Sequence, residues 1–192
     1  MKSYCALVLL LMLFFARASA AAQEVNTVHV GNPQNAAALG KQVQQAYQNG
    51  ARMIMINPGI YHLPAIGRPT FNLEGWKNAT IRAYHVTLIM RVKNAGNCFE
   101  LAHCQYVRIE GPLISQTQLT FYQGRVISAG YIYIQWAKNC AIENNAMTGP
   151  KQPAFPGEQS HASIVIKNSH AIAVSGNHVT NPDRYAKPLI DR

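Results

Sequence analysis

Apolar and polar residues alternate along much of this chain with a period of two, and the alternation recurs in blocks. Four blocks align without internal gaps: FNLEGWKNATIRAYHVT (71–87), FELAHCQYVRIEGPLIS (99–115), IYIQWAKNCAIENNAMT (132–148) and IVIKNSHAIAVSGNHVT (164–180). Their starts lie 28, 33 and 32 residues apart. One column of the alignment reads Phe71, Phe99, Ile132, Ile164, and the next Leu73, Leu101, Ile134, Ile166. Three more read Ala79, Val107, Cys140, Ile172; Ile81, Ile109, Ile142, Val174; and Val86, Ile114, Met147, Val179. All 20 places are apolar, where the chain's 48% apolar content predicts about 10 by chance. A polar column, Thr87, Ser115, Thr148 and Thr180, closes the block.

Within a block the apolar positions fall two apart, the period of a strand and not of a helix. After the second strand comes a small or amide residue (Ala83, Gly111, Asn144, Gly176), as a tight turn requires. Each block therefore predicts strand, turn, strand, turn, short strand and loop. So small a unit cannot shield its own apolar face, whereas stacked copies can. The expected fold is an all-β solenoid, a parallel β-helix of about four to five coils over residues 51–180. Ahead of it, Asn35 can N-cap AAALGKQVQQAYQ, with Leu39, Val43, Ala46 and Tyr47 on one face and Gly50 as the stop. A helix over 35–50 would cap the stack, ARMIMI (51–56) reads as a strand, and Asn57-Pro58-Gly59 as a turn. The tail 181–192 is short and polar.

The first twenty residues stand outside this pattern. Lys2 precedes an apolar run of 12 residues, Cys5 to Ala16, followed by Arg17 and Ala18-Ser19-Ala20. That is the layout of a secretory signal peptide, and the run is shorter than the roughly 20 residues a membrane span needs. The expected mature protein is one domain, 21–192, secreted or periplasmic and free of the membrane. Its Cys98, Cys104 and Cys140 allow at most one disulfide, and their spacing matches no zinc pattern. One N-glycosylation sequon, Asn78-Ala79-Thr80, matters in a host that glycosylates.

Charged residues make up only 13% of the chain, which excludes a disordered acidic tail, a coiled coil or a charged helical bundle. The net charge of +9 owes as much to missing acids as to added bases, since there are only eight acids and the two Asp, Asp183 and Asp191, lie near the end. Secretion and the lack of a basic run argue against nucleic acid.

The helix followed by INPGIYHL (56–63), then NATIRA, YVRIEG, CAIENN and IAVSGN, resembles the pectin-lyase-like superfamily of secreted right-handed parallel β-helices over roughly residues 28–180. The resemblance implies the right hand and an activity on extracellular polysaccharide, as a lyase or glycoside hydrolase on an acidic, pectin-like glycan. The superfamily also holds tailspikes and adhesins, so a non-catalytic carbohydrate-binding or adhesive β-helix, or a truncated relative, is the alternative.

In such enzymes the polymer lies across the first strand of each coil. Carried over here, the outward positions are Asn72, Glu74, Glu100, Ala102, Tyr131, Tyr133, Gln135 and Lys167, with Trp76, His103 and Trp136 at the following turn. Glu100 and Glu74 are the candidate acid and base. Tyr131, Tyr133, Gln135 and Trp136 would line sugar subsites, and Lys167 would clamp a carboxylate. The loops 88–98, 116–131 and 149–163 add Arg91, Lys93, Arg125 and Lys151, so a basic groove would attract a polyuronate. The plainer alternative is a set of ordinary solvated strand residues. Arg82, Glu110, Glu143 and Ser175 form a second outward column with Arg108 nearby, readable as an Arg–Glu ladder or as a frustrated site. The superfamily's Asp-based catalytic and calcium motifs do not occur, so no cofactor is expected and calcium would find no Asp cluster.

Overall fold

A computed structural model describes residues 25–64, 69–90, 98–116, 121–122, 125–126, 132–148, 164–180 and 190–191. The predicted signal segment and residues 181–189 of the tail lie outside them. The chain opens with β1 (Thr27–Val30), a 3-10 turn over Pro33–Ala38, α1 (Leu39–Gln48), β2 (Met53–Ile56) and β3 (Gly59–Leu63). The first repeat supplies β4 (Phe71–Asn72), β5 (Lys77–Arg82) and β6 (Val86–Met90). The second supplies β7 (Phe99–Ala102), β8 (Gln105–Glu110) and β9 (Leu113–Gln116), followed by a small antiparallel pair, β10 (Phe121–Tyr122) and β11 (Arg125–Val126). The third holds β12 (Ile132–Gln135), β13 (Ala141–Glu143) and β14 (Ala146–Thr148). The fourth holds β15 (Ile164–Lys167), β16 (Ala173–Ser175) and β17 (His178–Thr180), and β18 (Ile190–Asp191) follows.

Each repeat places its three strands in three different parallel sheets, in the same order each time. The first sheet runs β18-β15-β12-β7-β4, the second β1-β2-β5-β8-β13-β16, and the third β17-β14-β9-β6-β3. Equivalent residues pair: Phe99 with Phe71 and Ile132, Ile134 with Leu101 and Ile166, Ile142 with Ile109 and Val174. One buried cluster collects these columns from all three sheets, and the Phe71 and Phe99 rings stack at 4.4 Å. The alternating pattern predicted these columns because a strand turns every second side chain to one side.

The fifth column differs. Ile114 pairs with Leu88 and Met147, so Leu88 stands where Val86 was expected, and Ile89, not Thr87, faces Ser115. The first repeat spends two extra residues on its turn at Ala83-Tyr84-His85, where His85 has φ +60°. A slip of two keeps every side chain on its own face, so the alternation alone could not show it. Leu88–Met90, expected in a loop, therefore belongs to β6.

The helix also starts later than predicted. Asn32, whose Oδ1 accepts from the Gln34 N–H at 3.0 Å, caps the 3-10 turn, and Asn35 breaks helical geometry at φ −126°, ψ 52°. From Leu39 on, α1 buries Leu39, Val43 and Ala46, the predicted stripe, and packs against β1, β2 and β4. At the second turn of the later repeats two asparagines form a ladder. The buried Asn145 donates through Nδ2 to Asn177 Oδ1 at 2.7 Å, and Asn177 Oδ1 also accepts from the Asn145 N–H at 3.0 Å. Asn145 Oδ1 has no partner, because the same place one repeat earlier is Pro112, which carries no N–H.

The corners repeat as regularly as the strands. Asn78, Tyr106, Asn139 and Ala171 share one corner position, and all four are left-handed, with φ of 52° to 55°. Asn takes that region cheaply, whereas a tyrosine does not. Tyr106 is 54% exposed, so its ring returns little for the strain. Tyr106→Asn is expected to raise stability by about 0.5–1 kcal/mol in urea titration; a loss of stability would contradict the reading.

Candidate functional site

The outward face of the first sheet carries three adjacent columns. Asn72, Glu100, Tyr133 and Val165 are paired in file, and Ala102, Gln135 and Lys167 form the next. Glu74 belongs to that second file, since Gly75 N–H donates to the Ala102 carbonyl at 2.8 Å. At the corner beyond stand Gly75, His103, Trp136 and Asn168, all left-handed, with φ of 70°, 53°, 48° and 48°. Successive N–H groups donate along this corner, His103 to the Gln135 carbonyl and Trp136 to the Lys167 carbonyl, both at 3.1 Å.

Side chains link the columns. Gln135 Nε2 donates to Glu100 Oε1 at 3.3 Å, and Lys167 Nζ lies 5.8 Å from the centre of the Tyr133 ring. The His103 imidazole stacks on the Trp136 indole, 4.9 Å between centres and 13° between planes. His103 Nε2 lies 4.0 Å from Glu74 Oε1, and Trp136 is 51% exposed. Of the residues singled out in the sequence, Glu74, Glu100, Tyr133, Gln135, Trp136 and Lys167 thus share one face. Tyr131 lies outside the described residues, as do the loop cations Arg91, Lys93 and Lys151.

Two residues expected to be exposed here are buried, Ala102 while keeping the outward register of Gln135 and Trp76 by turning into the core. Ala102 is buried beside Gln135. Trp76 is 1% exposed and stacks on Tyr47 of α1 at 3.9 Å, so it joins the helix to the repeats and lines no ligand face. His103 was expected only as a neighbour at the turn, and its stack on Trp136 makes it part of the site. The sequence signal was a bulky residue at the corner position that Gly75 and Asn168 occupy elsewhere.

The second column resolves into ion pairs. Arg82 Nε meets Glu110 Oε1, Arg108 Nη1 meets Glu143 Oε2 at 2.9 Å, and the Tyr84 hydroxyl lies 3.4 Å from Glu110 Oε2. The two stacked glutamates each hold an arginine, which is the ladder and not the frustrated site. Among the described residues no group of three or more His, Cys, Asp or Glu side chains gathers as a metal would need. No helix there is long and apolar enough to cross a membrane.

Cys98, Cys104 and Cys140 are buried free thiols. Cys104 Sγ donates to the Leu73 carbonyl at 2.6 Å. Burial pushes the Cys104 thiol up to about 12, and raises Cys98 and Cys140 as well. The unfolded thiol ionises from its ordinary value of about 9, while the folded one stays protonated to about 12. Stability is therefore full below about pH 9 and falls as the pH climbs towards 12. In Cys104→Ala that fall is expected to be shallower by up to about 1.4 kcal/mol per pH unit, measured by urea titrations from pH 8 upward. Equal slopes would refute the assignment.

No family model matches the chain, and neither does any curated protein or solved structure.

Proposed function

We propose that the chain is a secreted right-handed parallel β-helix of the pectin-lyase-like kind, capped by α1, whose first-sheet face holds an acidic polysaccharide. The observation that carries the reading is the stacked His103–Trp136 pair beside Glu74, continuous with Glu100–Gln135 and Tyr133–Lys167 on one face. Aromatic planes suit the apolar faces of sugar rings, while amide, carboxylate and ammonium groups suit hydroxyls. Without residues 1–20, which carry Lys2 and Arg17, 15 Lys and Arg stand against 8 acids, and this net charge of +7 draws a polyanion towards the chain from beyond contact range. Holding the glycan suits the geometry better than cutting it. The Glu74 and His103 side chains are more than half exposed, whereas a general acid needs a desolvated carboxyl.

Cleavage is the second reading, favoured by one feature. Glu74, in the turn just after β4, and Glu100 on β7 are offset by two residues along the ladder, a diagonal of about 7–8 Å. Inverting glycosidases keep their carboxyls about 6.5–9.5 Å apart, leaving room for a water.

One experiment separates the readings. The mature protein is passed over immobilised polygalacturonate at rising salt and incubated with the soluble polymer, with and without calcium, while unsaturated and reducing ends are followed. Retention that weakens with salt, without new ends, is expected. Trp136→Ala is expected to weaken retention at least tenfold. New ends that vanish in Glu100→Gln would establish cleavage instead, and failure to bind any acidic glycan would end the proposal.

A further inference from the structure

The corner column beside the first sheet is strained where it is most exposed. Gly75 and Asn168 occupy its left-handed backbone at little cost, but His103 and Trp136 hold the same geometry with bulky side chains. Glycine or asparagine would relieve both positions. Neither ring is used to fill the core, since the His103 side chain is 57% exposed and Trp136 51%. Strain of this kind persists at ligand clamps, and among the described residues these two rings stack on each other alone.

The column is also interrupted. A parallel ladder sets equivalent residues about 4.8 Å apart, close to the 4.9 Å between the His103 and Trp136 rings. One step further, on the other side of His103, stands Gly75, which has no side chain. A β-carbon built there would meet no atom of the described residues within 4 Å, so among them the place beside His103 is open. At its edge lies the Glu74 carboxylate, 4.0 Å from His103 Nε2.

We propose that this open place over Gly75 is a subsite for one uncharged pyranose ring, a neutral sugar or an esterified uronate, resting on His103 as the next plane of the stack. The reading deepens the polysaccharide-binding proposal and rests on it. Glu74 accepts from a ring hydroxyl there, and its charge repels a free uronate carboxylate at the same point. Trp136 backs the imidazole from behind and keeps its plane square to the column. Long-range attraction by the cationic chain and short-range selection of an uncharged ring are then carried by different groups.

The test compares hexagalacturonate with its fully methyl-esterified form by titration calorimetry in 0.5 M salt, where long-range attraction is screened. The esterified probe is expected to bind at least tenfold tighter to the unaltered protein. Gly75→Asn tolerates the left-handed backbone and fills the open place; it is expected to remove that preference with the thermal midpoint unchanged. His103→Gly, which relieves strain, is expected to lose the esterified probe at least tenfold while melting no earlier. A midpoint that falls in His103→Gly would assign the ring a structural role and overturn the proposal. If polygalacturonate is retained yet Gly75→Asn binds both probes as the unaltered protein does, the subsite is wrong and the broader reading stands. If neither polymer is retained at any salt concentration, the broader reading fails and the subsite with it.

Discussion

Trp76→Ala is expected to cost about 3–5 kcal/mol of folding stability, the range for emptying a buried indole site. The indole is 1% exposed and lies flat on Tyr47, 3.9 Å between centres and 8° between planes. Tyr47 comes from α1, its hydroxyl accepts the Lys77 N–H at 2.8 Å, and the Arg52 guanidinium sits 4.8 Å from its centre. Tyr47 thus couples the helix to Arg52, just ahead of β2, and to the start of β5, and it rests on the Trp76 indole. Removal of that indole leaves a cavity that the flanking strands, held by their own ladders, cannot close. Trp76→Phe should cost far less, because it retains much of the apolar volume and discards Nε1, a buried donor without a partner. Urea unfolding followed by circular dichroism checks both; a loss below about 1 kcal/mol for the alanine variant would show that the indole is no anchor.

Arg82→Ala carries the second large effect, about 3 kcal/mol. Glu110 is 5% exposed and stands in file between Arg82 and Glu143. Without the guanidinium, a buried carboxylate keeps, among the described residues, the Tyr84 hydroxyl at 3.4 Å and faces a second carboxylate across the ladder. Breaking such a pair from one side costs about 3–5 kcal/mol; the lower end applies because the Arg82 side chain is 38% exposed and water can replace part of it. Adding Glu110→Gln to Arg82→Ala removes the stranded charge and is expected to restore more than half of the loss. If Arg82→Ala alone is neutral, or the double variant is no better, the pair does not hold Glu110 in place.

Why the strands were legible and the site only partly so is a matter of range. The columns Phe71-Phe99-Ile132-Ile164 and Ile81-Ile109-Ile142-Val174 follow from alternation and repeat length, because each residue's inward direction depends on its own strand alone. The slip that replaces Val86 by Leu88 preserves alternation, so it left no local mark. Asn32 and Asn35 both have the chemistry of a cap, but Asn32 caps a 3-10 turn and α1 begins after it at Leu39, with Ala38 at its N-cap making no side-chain cap, which no local signal showed. Glu74, Glu100, Tyr133, Gln135 and Lys167 came out on one face because the period of two placed them there, whereas Trp136, one place past Gln135, joins them only through its left-handed corner. The hydrogen bond from Gln135 to Glu100 and the stack of His103 on Trp136 join different repeats, about 30 residues apart in sequence.

The two tryptophans mark the boundary between what the chain alone settles and what its folding decides. The sequence by itself determined that apolar files recur at the strand period and the repeat length, since burying them demands only a local alternation and a neighbour of the same kind. It put Trp76 and Trp136 at the same turn, one place apart. Only the tertiary structure sent Trp76 under α1 and Trp136 into solvent: Trp76 follows a left-handed glycine, whereas Trp136 is itself the left-handed residue. The sign of one backbone angle, set by the ladder of N–H bonds between repeats, turns one indole into core and leaves the other exposed at the corner.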